Sequence, residues 1–226
     1  MQPAKHFGRN DFRYVNLKNA DKKSGVLLGL HYTNNDRRQR KAPSSNVNGG
    51  DFSASRFPIG ASRRIVHSWD TAFKTGREND FSVCTIWGVL ENAYHLLWLW
   101  RERVDFPELK KRILLLAQQY RPNQILIEDH ASGQCLIQEL TNQTGWPIIP
   151  IKVDRDKIAR AEAVTPFIEC GKVFLPESAP WVRDYIDEMA AFPNGLYDDA
   201  VDSTSQALNY LRQRPRNTLQ MTIVRL

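Results

Sequence analysis

Residues 64–70 read RIVHSWD, a short apolar run that ends on a carboxylate. Two further apolar runs follow at residues 81–90 and 94–101, and short turn-like segments separate the three runs. Apolar runs bounded by turn residues predict β-strands, and connections this short favour an antiparallel meander. The sequence therefore predicts three meandering strands, the first of which ends on Asp70.

Helical and strand patterns alternate through the rest of the chain. Apolar residues at helical spacing predict helices, and short apolar runs predict strands. The predicted helices cover residues 106–120, 131–144, 156–169 and 181–191, with a last one from Asp198, and the predicted strands cover 124–127, 147–153 and 172–175. This order predicts an α/β fold with a mixed sheet and helices on both faces, the order of the ribonuclease H-like architecture.

The two ends of the chain differ in composition from its centre. Residues 1–60 lack periodicity and predict a basic, largely irregular arm or linker, with one short ordered piece at residues 25–32. The folded domain is predicted at residues 61–212, and a basic tail at 213–226. The net charge is +6, with Lys and Arg in excess at both ends and Asp and Glu in excess between them. Basic ends suit contact with phosphates, although such segments are more often simply solvated.

Several protein classes are disfavoured by the sequence. The longest apolar run, residues 113–117, is too short to cross a membrane, and no apolar signal segment follows Met1. We therefore expect a cytoplasmic protein with no membrane partner. The three cysteines are too widely spaced to indicate a disulfide framework or a zinc site. The chain has no GxxxxGK[ST] phosphate loop, so no P-loop ATPase site is predicted.

Carboxylates crowd the start of the last predicted helix, at Asp198, Asp199 and Asp202. Like charges this close raise one another's pKa unless a cation lies among them, which favours a metal site. A solvated helix N-terminus is the alternative, because acidic residues there interact favourably with the helix dipole. Asp199 and Asp202 are three residues apart and therefore share one helix face.

Two more acids are predicted to meet this helix. The first and fourth strands of such a sheet are neighbours, so Asp70 and Glu128 at their ends can approach Asp199 and Asp202. Each acid alone could instead begin a turn, pair with an arginine or cap a helix. Together they favour Mg²⁺ or Mn²⁺, and two such ions about 4 Å apart can activate a water for attack on a phosphodiester.

Five ordered segments carry a family resemblance. They are IVHSWDTA at 65–72, NDFSVC at 79–84, IEDHASG at 127–133, Asp156-Lys157 with Arg160-Ala161, and FPNGLYDDAVD at 192–202. Over residues 61–212 the chain resembles the C-terminal nuclease domain of phage terminase large subunits. The resemblance implies a metal-dependent endonuclease that cuts double-stranded DNA during genome packaging in a bacterial host. The metal ligands that it implies are Asp70, Glu128, Asp198, Asp199 and Asp202, with Asp199 and Asp202 as the preferred pair because resolvases of this fold also use acids three apart on their last helix. Asp129 is an alternative ligand to Glu128, because a one-residue slip changes which side chain faces the site.

The resemblance also implies partners. Lys157 and Arg160, one turn apart, would contact the DNA backbone or form a solvated basic face, and the small terminase subunit and the portal would be possible protein partners. Sixty upstream residues are too few for the packaging ATPase of a full large subunit, so we expect a stand-alone nuclease module, a split gene product or a prophage remnant, with a separate packaging ATPase as a possible partner. The family usually has His before the double Asp, where this chain has Tyr197. The alternatives are a resolvase-like nuclease for branched DNA and an inactive prophage remnant that only binds DNA or packaging partners.

Overall fold

The computed structural model describes residues 13–17, 55–56, 64–72, 81–152 and 156–213. Within them, one sheet contains β1 (Arg13–Asn16), β2 (Ser55–Arg56), β3 (Arg64–Asp70), β4 (Ser82–Leu90), β5 (Ala93–Glu102), β6 (Gln124–Glu128), β7 (Ile148–Ile151) and β8 (Val173–Pro176). The helices are α1 (Phe106–Tyr120), α2 (Ala131–Gln143), α3 (Lys157–Glu162), α4 (Thr165–Glu169), α5 (Val182–Ala191) and α6 (Asp199–Gln213). None of these helices combines the length and the apolar character that a membrane span requires.

The sheet is mixed, with the strand order β2-β1-β8-β5-β4-β3-β6-β7. Strands β3, β4 and β5 form the predicted antiparallel meander. Strand β6 pairs in parallel with β3, with Trp69 opposite Ile127, and β7 pairs in parallel with β6. The predicted α/β fold is confirmed. Because parallel strands end at the same edge, Asp70 and Glu128 lie side by side there.

Helices cover both faces of the sheet and enclose two cores. One core contains Val66 and Leu126 with residues of α3 to α6, and the other contains Trp69 and Ile127 with residues of α1 and α2. Successive strand residues point to opposite faces. Since Trp69 and Ile127 face α1 and α2, the residues that follow them, Asp70 and Glu128, lie on the face that α6 covers.

Buried polar contacts hold α6 against β3 and β4. The hydroxyl of Ser203 donates to the backbone oxygen of Ser68 at 2.8 Å, and the Ser68 hydroxyl donates to the backbone oxygen of Ser203 at 2.8 Å. The Thr85 hydroxyl lies 2.7 Å from the Ser203 hydroxyl, and Gln206 Nε2 donates to Ser68 Oγ at 2.9 Å. Buried hydroxyls lose free energy unless they are hydrogen-bonded, so these contacts fix the register of α6 on the sheet.

Some element bounds differ from the sequence-based predictions. The helix predicted over 156–169 is two helices, α3 and α4, because Pro166 cannot donate the backbone hydrogen bond that a continuous helix requires. Within the segment predicted as an irregular arm, β1 pairs with β8 and adds to the sheet. The ordered piece predicted at 25–32 and residues 214–226 of the tail lie outside the described residues.

Candidate active site

Four of the predicted acids converge at the edge of the sheet where β3 and β6 end. Asp70 is the last residue of β3, Glu128 is the last residue of β6, and Asp199 is the first residue of α6. Asp202 follows one turn later. The backbone oxygen of Asp198 accepts the Asp202 amide at 2.9 Å, so Asp198 immediately precedes the helix.

The carboxylates are close enough to affect one another's protonation. Burial raises the pKa of Asp70 well above its ordinary value. The carboxylates of Asp202, Glu128 and Asp199 raise it further, in that order, while Arg160 lowers it. An acid surrounded in this way resists losing its proton unless a positive charge approaches. The site is therefore short of positive charge around Asp70.

Two cations on α3 already bind the acids of α6. Arg160 Nη2 donates to Asp202 Oδ1 at 2.9 Å, and Lys157 Nζ donates to Asp198 Oδ2 and lies 3.9 Å from Asp202 Oδ2. Burial nevertheless raises the pKa of Asp202 to about 6, because burial together with the repulsion of Asp198 and Glu128 outweighs the attraction of Arg160 and Lys157. The bond with Asp198 raises the pKa of Lys157. In this structure the two residues predicted to bind DNA are thus partners of the acidic cluster.

A third cation, Arg101 at the end of β5, was not among the predicted site residues. Its Nη1 donates to Glu188 Oε2 at 2.6 Å, and its Nη2 donates to Asp199 Oδ2 at 2.9 Å. Glu188 is buried in α5, and its Oε1 accepts the amide of Ala200 at 2.7 Å in the first turn of α6. One buried carboxylate therefore anchors both the start of α6 and the arginine that holds Asp199.

Two aromatic rings enclose the Arg101 guanidinium. Its central carbon lies 4.5 Å from the ring centroid of Phe81 and 4.8 Å from that of Tyr197. The two rings meet edge to face, with centroids 5.4 Å apart. Stacking on aromatic faces stabilises a guanidinium in one orientation. Tyr197 thus contributes to holding Arg101, and through Arg101 to the position of Asp199.

The model of the family described as the terminase RNaseH-like domain matches residues 67–211. The chain belongs to this family. The matched region runs from β3 to the end of α6, so it contains every acid and cation of the site described above. A comparison with curated proteins gives no match.

Solved structures of terminases share the fold of this terminase ribonuclease H-like domain. The large terminase nuclease of thermophilic phage G20c, solved with bound zinc, is 19% identical, with a TM-score of 0.50 over 64% of this chain and 81% of that chain. The same nuclease solved with bound magnesium is 18% identical, with a TM-score of 0.50 over the same shares. The large terminase of another thermophilic bacteriophage, solved in complex with ADP, is 10% identical, with a TM-score of 0.51 over 67% of this chain. The terminase domain described here spans 40% of that longer terminase chain.

The backbone after Glu128 accounts for the positions of Asp129 and Gly133 in this terminase domain. The Asp129 amide donates to the backbone oxygen of Ile151 at 2.8 Å, so the chain stays paired with β7 one residue beyond the strand. A Cβ on Gly133 would lie 1.9 Å from the backbone oxygen of Glu128. Gly133 therefore allows the first turn of α2 to pack against the backbone at the end of β6.

The donor set of this terminase domain fits a hard divalent cation. All of its donors are carboxylate oxygens from β3, β6 and α6, and their mutual repulsion is the kind that such a cation relieves. No three His, Cys, Asp or Glu side chains in the part of the chain that the structure describes already form a coordination set. Lys157, Arg160 and Arg101 bind the α6 acids instead. A cation would compete with these partners for the same oxygens.

Proposed function

We propose that this domain is a DNA endonuclease that hydrolyses phosphodiester bonds of double-stranded DNA with two bound Mg²⁺ or Mn²⁺ ions. The membership of the terminase ribonuclease H-like family supports a nuclease. The terminase nuclease of phage G20c has been solved with magnesium and with zinc, which supports the use of divalent cations. In this proposal the domain acts as the nuclease of a DNA-packaging terminase, which works with a packaging ATPase, a small subunit and a portal in the cytoplasm of a bacterial host.

One observation carries the proposal. Acids from three separate elements, Asp70 of β3, Glu128 of β6 and Asp202 of α6, lie close enough to raise the pKa of Asp70 together. A structural role for partly buried acids would favour one cation per acid, as Arg160 provides for Asp202. Neither Asp70 nor Glu128 has an ion-pair partner among the described residues. Such an excess of partly buried negative charge at one edge of the sheet favours cation binding.

The residues of the site would have two roles, and the first is to bind the metal ions. Asp70, Glu128, Asp199 and Asp202 would hold the ions, with Asp198 as a further oxygen donor and Asp129 as the alternative to Glu128. When bound, the ions would supply an activated water and stabilise the leaving oxygen.

The cations of α3 have the second role. Lys157 and Arg160 bind carboxylates that the ions would occupy, so metal loading would leave their charges next to the metal-bound phosphate. Charge-assisted contacts from Lys and Arg to phosphate oxygens would then position the DNA backbone.

The test is cleavage of supercoiled plasmid by the purified chain with Mg²⁺ or Mn²⁺. Asp70→Asn should reduce cleavage more than the roughly 100-fold that loss of an outer hydrogen-bonding partner of a metal ligand costs. Asp187→Asn is the matched control, because Asp187 is an exposed acid of α5 that pairs with Arg183. Undiminished cleavage by Asp70→Asn with an unchanged circular dichroism spectrum would refute the assignment.

Two further arms of the assay address the alternatives. Four-way junctions and linear duplexes of the same sequence are offered in competition, and preferential cleavage of the junction would identify a resolvase-like nuclease. Salt-sensitive DNA binding with no cleavage under any metal would identify a remnant that only binds DNA.

A further inference from the structure

A cleft borders the acidic site on the side of β7. It has a volume of about 280 Å³ and lies between the end of β7, α3 and the last two turns of α6. Its lining includes three cationic side chains, Lys152, Arg160 and Arg212, together with the polar Asn209 and Tyr210. Asp and Glu are absent from its lining among the described residues. A concave surface with cations and amides but no acids attracts an anion.

The cleft and the acidic site share one residue. Arg160 lines the cleft, and its Nη2 binds Asp202 Oδ1 at 2.9 Å. The two regions are therefore continuous, and the charge changes from negative to positive across Arg160. A chain of phosphates suits both regions at once. One phosphate can bind at the acidic site when it holds a metal ion, while neighbouring phosphates bind the Lys and Arg side chains of the cleft.

Hydrogen bonds hold the walls of the cleft in place. Asn209 Nδ2 donates to the backbone oxygen of Arg160 at 3.0 Å, and Arg212 Nη1 donates to the backbone oxygen of Ala163 at 3.0 Å. These bonds join α6 to α3. A guanidinium has five N–H donors, and within the described residues Arg212 uses one of them. Lys152 is exposed, and its ammonium makes no ion pair with a described residue. Both cations thus keep donors available for a ligand.

The spacing along the sheet edge suits successive phosphates of one DNA strand. Ile151 of β7 lies opposite Glu128 of β6, and Lys152 follows it at the same edge as Asp70. Two strand spacings separate β3 from β7, or about 10 Å. A DNA strand carries one phosphate per about 3.4 Å of helix axis, so a surface about 10 Å from the acidic site is within reach of the neighbouring phosphates of the same strand.

We propose that this basic cleft, defined by Lys152, Arg160 and Arg212, binds the phosphate backbone of the DNA strand adjacent to the cleavage site. The inference rests on the proposed nuclease function and specifies the surface that positions its substrate. Lys152 and Arg212 act as phosphate-binding residues that do not touch the reacting atoms. They add affinity and set the direction in which the strand leaves the acidic site.

The experiment measures how DNA affinity depends on salt. The full chain carrying Asp70→Asn, which prevents cleavage, is titrated in Mg²⁺ against a fluorescein-labelled DNA duplex, and binding is followed by fluorescence anisotropy. Each phosphate contact contributes about 0.9 to the slope of log affinity against log salt. Adding Lys152→Ala and Arg212→Ala together should lower that slope by about 2 and weaken binding at low salt at least 10-fold.

Matched controls distinguish the effect of the cleft residues from the effect of removing positive charge anywhere on the surface. Lys111→Ala and Arg183→Ala remove two exposed cations, of α1 and α5, that pair with acids of their own helices. This double control should leave the slope unchanged. Lys152→Ala alone should lower the slope by about 1, and this exposed residue keeps the test valid if Arg212→Ala disturbs the end of α6.

The outcomes distinguish the two proposals. If the Asp70→Asn chain binds DNA and the Lys152 and Arg212 variants keep its slope, the cleft proposal is overturned while the nuclease proposal stands. If the Asp70→Asn chain shows no salt-dependent DNA binding, and the unmodified chain cuts no DNA, both proposals fail. The cleft proposal would also be overturned if the Lys152 and Arg212 variants and the control variants lowered the slope by the same amount.

Discussion

Replacing Arg101 by Met is the sharpest test of how the site is held together. Met keeps much of the side-chain volume between Phe81 and Tyr197 but removes the charge that joins Glu188 to Asp199. Breaking a buried ion pair by removing one partner costs about 3–5 kcal/mol. The Arg101 side chain is 21% exposed, and Glu188 keeps the bond from the Ala200 amide. We therefore expect a smaller loss of about 2–3 kcal/mol.

This loss should depend on pH in a defined direction. Burial raises the pKa of Glu188, whereas the Ala200 amide and Arg101 lower it. Without Arg101 the pKa of Glu188 rises further, so the folded variant holds a proton that the unfolded chain has lost. The contribution of Glu188 to the stability of the variant is then most favourable at low pH and is lost as pH rises through the raised pKa. The difference between the unmodified chain and Arg101→Met should be larger at pH 8 than at pH 5.

Thermal denaturation followed by circular dichroism measures the effect. A loss of 2–3 kcal/mol corresponds to a fall in Tm of about 4–12 °C for a chain of this length. Glu188→Gln in the Arg101→Met background removes the unpaired charge and should recover part of the loss, with a coupling energy of about 1–3 kcal/mol. Cleavage should also fall about 10–100-fold, because Asp199 loses the partner that orients it. Two results would refute the reasoning. One is a double variant whose loss of stability equals the sum of the two single losses, and the other is a Tm of Arg101→Met within about 1 °C of that of the unmodified chain.

Two further predictions concern Gly133 and His67. Gly133→Ala would place a Cβ 1.9 Å from the backbone oxygen of Glu128, so we expect a loss of about 1–3 kcal/mol in urea denaturation together with reduced cleavage. Gly145→Ala, where a Cβ meets nothing within 4 Å, is the control, and equal effects of the two variants would contradict the assignment. Burial lowers the pKa of His67 to about 3, so its stabilising contribution is present at neutral pH and lost as pH falls from about 6.5 toward 3. Between about pH 7.5 and pH 5, the free energy of unfolding of His67→Leu should therefore fall by about 2 kcal/mol less than that of the unmodified chain. Identical pH profiles of stability for the two chains would show that His67 is not the cause.

Local sequence patterns were enough to predict the elements that carry Asp70 and Glu128. Their strands are short apolar runs with clear ends, and the order of strands and helices restricts which strands can be neighbours. The period of two then decides the face on which each acid lies. The break near Pro166 was missed although its signal is in the sequence, because a proline inside a helical pattern removes a backbone donor and interrupts the helix.

Long-range partners were not predictable in the same way. Arg101 ends a strand and resembles an ordinary edge charge, while the acid that it binds lies on α5, 87 residues later. The available signal was Glu188 itself, because it lies on the buried face of α5 beside Tyr185 and Met189. A carboxylate on an apolar helix face requires a partner. The partner's identity depends on packing between distant elements, which a single sequence does not specify.

The distribution of cations within the site indicates where a metal ion would have the greatest effect. Asp198, Asp199 and Asp202 each bind a side-chain cation, from Lys157, Arg101 and Arg160 respectively. Within the described residues, no such partner reaches Asp70 or Glu128, which lie on neighbouring parallel strands. An ion that binds between these two strands relieves repulsion without first displacing a protein cation. An ion that binds at α6 must compete with Arg160 or Arg101. Under the proposed two-metal function, we therefore expect the position at Asp70 and Glu128 to bind its ion more tightly than the position at α6.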